Sequence, residues 1–240
     1  MTERGKGAVQ QEADSFTVGP SSMHWDGEVF TVEVNERAMP RMLPMRGTVR
    51  IRPEAVTDIE VALHPNHVWR PFAPSAHIEV DFDNPGLRWQ GHGYLDANFG
   101  TSALERDFRY WTWGRFPHGD GARTFYDVEA RDGRDLSVSL QFGRDGTVRE
   151  ATPPPKATLP TTLWAVKRET RGDEGAKARH EMTFETAPFY SRSMVSTTIE
   201  GARTTGVHEA LDCNRFANNG IRALLPARMP RAWGPIGWLF

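Results

Sequence analysis

The 240-residue sequence contains a single cysteine, Cys213, and no long hydrophobic run. One cysteine excludes an intrachain disulfide and a cysteine-based zinc cage, which fits a reducing compartment such as the cytoplasm. No stretch of about 18 apolar residues is available to span a bilayer. The first residues, Met-Thr-Glu-Arg-Gly-Lys-Gly, lack the apolar core of a signal peptide. We therefore expect a cytoplasmic protein that is soluble or attached to a membrane only peripherally.

Several common enzyme signatures are also missing. The sequence has no Gly-x-Ser-x-Gly nucleophile motif, no Walker motif and no dinucleotide-binding glycine loop, which argues against those enzyme classes. It has no His-Glu-x-x-His, and its eight histidines are scattered, so we expect no metal site. The formal charge of -2, with acidic and basic residues intermixed, gives no reason to expect a nucleic-acid partner.

Apolar and polar residues alternate along several segments, as they do in strands with one buried face. The clearest segments are 30–34, 78–82 and 136–142. Asp-Gly pairs, which favour tight hairpin turns, begin at residues 26, 120, 132 and 145. Helical patterns are confined to short segments near 103–108 and 216–225, so the sequence predicts an all-β fold built from antiparallel hairpins.

A strong turn cluster, Asp83-Asn84-Pro85-Gly86, marks the first break between strand patterns. We place a domain boundary there, which gives an N-terminal β domain over residues 1–86 and a C-terminal β domain over residues 87–240. The triproline at 153–155 is interpreted as a long loop within the second domain, because proline cannot donate ladder hydrogen bonds.

The segment from Gly91 to Gly100 concentrates polar side chains in one extended run. Strand alternation would point Tyr94, Asp96 and Asn98 to one face. A buried acid beside a phenol can hold its proton at neutral pH and deliver it. The alternative is a structural strand whose polar side chains only satisfy hydrogen bonds.

Two further segments combine aromatic side chains with basic or imidazole groups. His67 and Trp69 lie two residues apart and would share a strand face, where imidazole and indole suit proton transfer near a cation. Trp111 and Trp113 would likewise share a face of the next strand. A surface loop around His67 and an ordinary aromatic core at the two tryptophans are the structural alternatives.

Taken together, five motifs resemble the carotenoid 1,2-hydratases, also called hydroxyneurosporene synthases, over nearly the whole chain. They are Gly-His-Gly-Tyr-Leu-Asp-x-Asn at 91–98, Asp-Phe-Arg-x-Trp-x-Trp at 107–113, Pro-Phe-Tyr-x-Arg-Ser at 188–193, Val-His-Glu at 207–209 and Leu-Pro-x-Arg-Met-Pro-Arg at 225–231. The resemblance implies two lipocalin-like antiparallel β-barrel or sandwich domains. It also implies cofactor-independent addition of water to the terminal double bond of an acyclic carotene such as neurosporene or lycopene.

The resemblance also assigns roles to individual residues. His67, Trp69, Tyr94 and Asp96 match the family's proposed active-site positions. On this basis we expect Asp96 to protonate the C1=C2 double bond and Trp69, with Tyr94, to face the carbocation. His67 would position the attacking water or accept its proton. Substrate contacts are expected from Asn98, Trp111 and Trp113.

The chain differs from the resembling family at its start. Members usually carry several tens of residues before the segment that matches Met1. Either the start codon was placed at an internal methionine or the gene is truncated, and for the truncated chain we expect an incomplete first domain with an unpaired edge. At the other end, residues 228–240 mix arginines with aromatics, as an interfacial membrane anchor would, although a tail packed on the second domain fits as well.

Two other functions remain open from the residues. A lipocalin-type binding protein would carry an apolar ligand without changing it. A glycosidase would need Asp96 and Glu105 to face each other across a cleft, about 5 to 10 Å apart.

Overall fold

The structure is a computed structural model that describes residues 4–38 and 41–222. Strands dominate it and pair antiparallel, so the predicted all-β class is confirmed. In chain order the strands are β1 Val9–Gln11, β2 Ser15–Val18, β3 Ser21–Trp25, β4 Phe30–Ala38, β5 Leu43–Pro53, β6 Val61–His64, β7 His67–Asn84, β8 Leu87–Gly100, β9 Phe108–His118, β10 Gly121–Ala130, β11 Leu136–Phe142, β12 Val148–Glu150, β13 Lys156–Leu159, β14 Arg168–Arg171, β15 Arg179–Ala187, β16 Tyr190–Ile199 and β17 Ala202–Asp212. Single helical turns are α1 Leu104–Asp107, α2 Cys213–Phe216 and α3 Asn219–Arg222.

The contacts between Cα atoms divide the chain into two compact units. The described part of the first unit comprises residues 4–38, 41–54 and 76–95. Within it, β1 to β5 follow one another as antiparallel neighbours, and β5 pairs with the second part of β7. Val32, Val49 and Val80 lie opposite one another on β4, β5 and β7, which is the outcome that the alternating pattern predicts.

The described part of the second unit comprises residues 55–75 and 96–222. Its main sheet has seven antiparallel strands in the order β12-β11-β10-β9-β17-β16-β15. β13 and β14 form a separate two-stranded ribbon, and β6 pairs with the first part of β7. Arg115 on β9 donates from Nε to the Pro74 carbonyl at 2.5 Å, which fixes β9 to the first part of β7.

Strand alternation gives the seven-stranded sheet two faces with different chemistry. One face carries Phe116, Phe125 and Val195, which pack with Leu159 and Ile199 into an apolar core. The opposite face carries the aromatic and acidic side chains that are described in the next subsection.

Three of the four predicted Asp-Gly turns have the expected positive φ, at Gly27, Gly133 and Gly146. At the fourth, the positive φ belongs to Gly119 instead of Gly121. Gly121 is required for a different reason, because a Cβ there would lie 1.8 Å from the carbonyl oxygen of Phe142 on the neighbouring strand.

The predicted boundary between residues 86 and 87 falls in the turn between β7 and β8, inside the first unit. The division into domains 1–86 and 87–240 stays a prediction. Among the described residues, no helix has the length and apolar character that crossing a bilayer requires. The predicted helical residues 223–225 and the C-terminal segment 228–240 lie outside the described residues.

Candidate active site

Asp96 is held by a buried indole within the second unit. The Trp69 side chain is 1% exposed, and its Nε1 donates a hydrogen bond to Asp96 Oδ2 at 2.8 Å. Burial raises the pKa of the Asp96 carboxyl, although the hydrogen bond from Trp69 and the positive charge of Arg192 act in the opposite direction. The structure thus brings together two of the predicted site residues and gives the acid the environment that favours its protonated form.

Tyr126 on β10 connects Asn98 to the aromatic side chains. Its hydroxyl donates to Asn98 Oδ1 at 3.4 Å, and its ring centroid lies 5.5 Å from that of Trp69 and 5.7 Å from that of Trp111. The rings meet at tilted or edge-on angles, as aromatic pairs in protein interiors do. Alternation along the sequence does not single out Tyr126, because only the pairing of β10 with β9 shows which face it occupies.

Trp111 and Trp113 share the predicted face of β9. Across the strands, Trp113 lies opposite Tyr126 on β10 and opposite Glu209 on β17. Trp113 is 4% exposed. Trp111 Nε1 is buried and makes no hydrogen bond within the part of the chain that the structure describes, so the site keeps one donor for a water or hydroxyl group.

His67 is bonded to a carboxylate that the sequence analysis did not assign to it. Its ring is 4% exposed, its Nε2 lies 2.8 Å from Asp107 Oδ2, and its centroid is 4.7 Å from that of Phe108. A Cβ on Gly100 would lie 2.5 Å from His67 Nδ1, so the absence of a side chain at Gly100 makes room for the imidazole. The His67 imidazole is therefore oriented by Asp107.

Among the described residues, the ligand atoms of His64, His67 and Asp107 lie within 4.8 Å of one another and could together hold a cation. His64 Nδ1 is 4.0 Å from Asp107 Oδ2, and its Nε2 is 3.3 Å from Asp132 Oδ2. The contact of 2.8 Å between His67 and Asp107 is the length of a hydrogen bond. Two ligands of a tetrahedral zinc ion, each about 2.0 Å from the metal, would stand further apart than that.

Tyr94 lies two residues before Asp96 on β8 and is half-buried. It belongs to the first unit, whereas Asp96 begins the segment of β8 that belongs to the second. The role of Tyr94 at the site stays a prediction.

A second acidic side chain was missed by the sequence analysis. Glu209 on β17 lies 3.1 Å from Arg192 Nε, and its side chain is 18% exposed. Burial raises the pKa of the Glu209 carboxyl, Arg192 and a hydrogen bond with Tyr190 lower it, and a charge on Asp96 raises it further. The sequence presents Glu209 within Val207-His208-Glu209, but only the strand register shows that it faces the aromatic side chains.

A groove on the surface of the first unit contains none of the predicted site residues. Its lining includes side chains of both charges, among them Glu33, Arg46, Arg50, Asp81 and Asp83. An apolar ligand would have to remove these groups from water without replacing their hydrogen bonds, so this groove does not suit such a ligand.

These features define an all-β protein with a partly buried carboxylic acid held against indole and phenol rings. The fold is lipocalin-like, and the crystal structure of CghA with Sch210972 resembles it with a TM-score of 0.55 at 12% identity, covering 85% of this chain and 69% of that one. The family described as carotenoid hydratase CrtC matches residues 1–236.

Two relatives are similar over nearly the whole chain. The acyclic carotenoid 1,2-hydratase of Cereibacter sphaeroides is 50% identical, and the alignment covers 100% of this chain and 86% of that protein. The acyclic carotenoid 1,2-hydratase of Rhodobacter capsulatus is 47% identical, with 98% and 84% covered. The chain belongs to the carotenoid hydratase CrtC family.

Proposed function

We propose that this protein adds water to the terminal C1=C2 double bond of an acyclic carotene, such as neurosporene or lycopene. The similarity to acyclic carotenoid 1,2-hydratases over the whole chain supports the reaction class. The observation that carries the proposal is the hydrogen bond of 2.8 Å from the buried Trp69 indole to Asp96. Asp96, an acid whose pKa is raised by burial, therefore lies against an aromatic side chain.

The reaction begins with a proton transfer from Asp96. The Asp96 O–H bond breaks, a C–H bond forms at C2, and the positive charge develops at the tertiary carbon C1. A carboxyl group is competent for this step only while it is protonated, so the burial that raises the pKa of Asp96 serves the chemistry. The neighbouring hydrogen bond from Trp69 keeps the carboxyl in one orientation.

The carbocation needs an environment that stabilises positive charge without reacting with it. The π faces of Trp69 and Tyr94 are assigned this role, and a cation over an aromatic face gains about 2 kcal/mol when water is excluded. Trp111 and Trp113 would form the apolar wall along the polyene. Asn98, which accepts a hydrogen bond from Tyr126, would border the reacting end.

Capture of the cation by water completes the reaction. A C–O bond forms at C1, and the proton that the water loses must reach a base before Asp96 can be reprotonated. His67, oriented by Asp107, is the candidate that the sequence indicates for positioning the water or accepting its proton. No step requires a redox or group-transfer cofactor, and we propose that the enzyme is cofactor-independent.

The substrate also suggests where the enzyme works. A carotene is long, rigid and insoluble in water, so we propose that its reacting end moves from a lipid phase into an apolar interior. We propose a cytoplasmic protein that contacts the membrane peripherally and has carotene and water as its partners. Nucleic acid is not among the expected partners, given the formal charge of -2.

The function is tested by expressing the chain in a host that accumulates lycopene and analysing the pigments. The proposal predicts a 1-hydroxy carotene that is absent from the host with an empty vector. A lipocalin-type binding protein would enrich lycopene in the soluble fraction without forming this product. Bound, unchanged lycopene together with soluble, folded protein would therefore favour the binding protein and contradict the hydratase.

A further inference from the structure

Glu209 lies in a row of side chains that crosses the seven-stranded sheet on the same face as the candidate site. In register, Arg192 on β16 lies opposite Glu209, Glu209 opposite Trp113, and Trp113 opposite Tyr126. Side chains that pair across antiparallel strands share a face. The row therefore runs from a charged pair at Arg192 and Glu209 to the phenol that contacts Trp69.

The row connects Glu209 to Asp96 by contacts at both ends. Tyr126 packs against Trp69, and Trp69 holds Asp96 with its indole N–H. Arg192 is 3.1 Å from Glu209 and also acts electrostatically on Asp96. The two carboxyl groups thus face the same interior and influence each other, since a charge on Asp96 raises the pKa of Glu209.

We propose that Glu209 is a second catalytic carboxylate, which binds the attacking water and accepts its proton, while Arg192 and Tyr190 hold it in position. This assignment rests on the proposed hydration reaction. After the C–O bond forms at C1, the oxonium O–H bond breaks and its proton moves to Glu209. Glu209 then returns a proton to Asp96 through solvent or directly, so both carboxyl groups regain their starting states and the net change is alkene plus water to tertiary alcohol.

The geometry favours Glu209 over His67 for this step. The Nε2 atom of His67 is engaged with Asp107, and His67 is packed against Phe108. Glu209, in contrast, shares a cross-strand row with Trp113 and Tyr126, and its charge is balanced by an arginine that is itself 42% exposed at the side chain. Arg192 lies beside Glu209 and favours its ionised form, which is the form that a base requires.

Deuterium exchange separates the two proton transfers experimentally. In D₂O, Asp96 delivers a deuteron to C2, and C1–C2 is then a single bond about which the cation can rotate. Loss of the original C2 proton to the same carboxylate re-forms the double bond and leaves deuterium at C2 of the recovered carotene without forming alcohol. We expect Glu209→Gln to lower hydration by about 100-fold or more, as for loss of a general base, while exchange stays within about tenfold of wild type. Asp96→Asn should lose both reactions.

Glu185 provides a matched control. It lies opposite Arg192 from the other side, on β15, but it is exposed. Glu185→Gln removes the same charge next to the same arginine, and we expect both rates to stay within about threefold of wild type. A loss of hydration in Glu185→Gln as large as that in Glu209→Gln would show that the rate depends on the charge around Arg192. That result would overturn the assignment of a base at position 209.

Two other outcomes would also overturn it. If the hydration rate of Glu209→Gln stays within about threefold of wild type, no base is needed at position 209. If Glu209→Gln folds but its exchange and hydration rates fall equally, Glu209 has a structural role. If Glu209→Gln does not fold, Glu209→Asp decides the same point, because hydration must slow more than exchange. If the wild-type protein neither hydrates nor exchanges, the proposed function itself is wrong.

Discussion

At the scale of single residues, the hydrogen bond from Trp69 should set the pH range of the reaction. Activity requires protonated Asp96, so the rate falls as the pH rises through the raised pKa of this group. The bond donated by Trp69 Nε1 stabilises the carboxylate and lowers that pKa, so its removal in Trp69→Phe should raise the pKa further. We predict that the alkaline limb of the kcat/KM profile moves to higher pH, in addition to a lower rate from the weaker π face.

The position of the limb separates this effect from a general loss of activity. Trp113→Phe changes another buried indole of the same site, and we expect its rate to fall with the limb at the wild-type pH. A limb that stays in place or moves to lower pH in Trp69→Phe would contradict the role given to this hydrogen bond.

At this scale the sequence selects candidate residues by their chemistry. The motif around Tyr94 and Asp96 has chemistry that can be stated without coordinates, because a carboxylic acid needs burial to hold its proton. The partners that supply this burial are distant in sequence. Trp69 is 27 positions away from Asp96, and no local pattern predicts a specific hydrogen bond over such a separation.

At the scale of an element, strand β8 must pass close to His67. Gly100→Ala would place a Cβ 2.5 Å from His67 Nδ1 and 3.1 Å from the Asn66 carbonyl oxygen. The imidazole would have to shift, which disturbs its hydrogen bond with Asp107, so we expect a loss of about 1 to 3 kcal/mol in the free energy of unfolding and a lower kcat. Chemical denaturation and steady-state rates measure both effects.

Gly91→Ala is the control on the same strand. The nearest atom to its added Cβ is 3.7 Å away, which is an ordinary van der Waals contact, so we expect stability and kcat close to wild type. Equal losses in the two variants would mean that β8 tolerates no side chain in general, and the specific fit to His67 would be wrong.

The sequence predicts where individual strands lie more fully than it predicts which strands pair with each other. The alternation at 136–142 matches β11 at both ends, and that at 30–34 lies within β4. The register between strands cannot be predicted in this way, because it depends on which strands pair with each other. The row that joins Glu209, Trp113 and Tyr126 combines the consecutive strands β9 and β10 with β17, which lies far away along the chain. Period-two patterns alone do not give the register between these strands, so they could not select Glu209 or Tyr126.

At the scale of the whole molecule, a buried ion pair fastens the β13–β14 ribbon to the large sheet of the second unit. Arg171 on β14 donates from Nε to Asp127 Oδ2 at 2.9 Å, and the two side chains are 9% and 11% exposed. Asp127→Asn leaves the arginine charge without its partner, for which we expect a loss of about 3 to 5 kcal/mol in the free energy of unfolding.

Ser137→Ala provides a comparison for the loss of unfolding free energy expected in Asp127→Asn. It removes a hydroxyl that donates to Asp127 at 2.6 Å and accepts from Arg171, but it leaves the ion pair intact, so about 1 kcal/mol is expected. Urea denaturation of both variants measures the difference. Similar values for the two would show that the ion pair adds no more to stability than one neutral hydrogen bond.

The class of the whole molecule was within reach of the sequence, because alternating patterns with Asp-Gly turns leave little room for anything but antiparallel sheets. The division of the chain into compact units could not be predicted from the sequence. Residues 55–75 belong with 96–222 in the second unit, whereas 76–95 belong with the first. Membership in a compact unit depends on contacts between segments far apart in the chain, which local sequence patterns do not show.

Whether Asp96 is the proton donor is decided by measuring carotene hydration by purified Asp96→Asn beside the wild type at neutral pH. The asparagine can still accept the hydrogen bond from Trp69, so the fold is preserved, and removal of an acid whose folded pKa is raised should leave the stability at neutral pH unchanged or higher. If Asp96 is the proton donor, the folded variant forms no 1-hydroxy carotene while the wild type does. Turnover by Asp96→Asn at the wild-type rate would contradict this assignment.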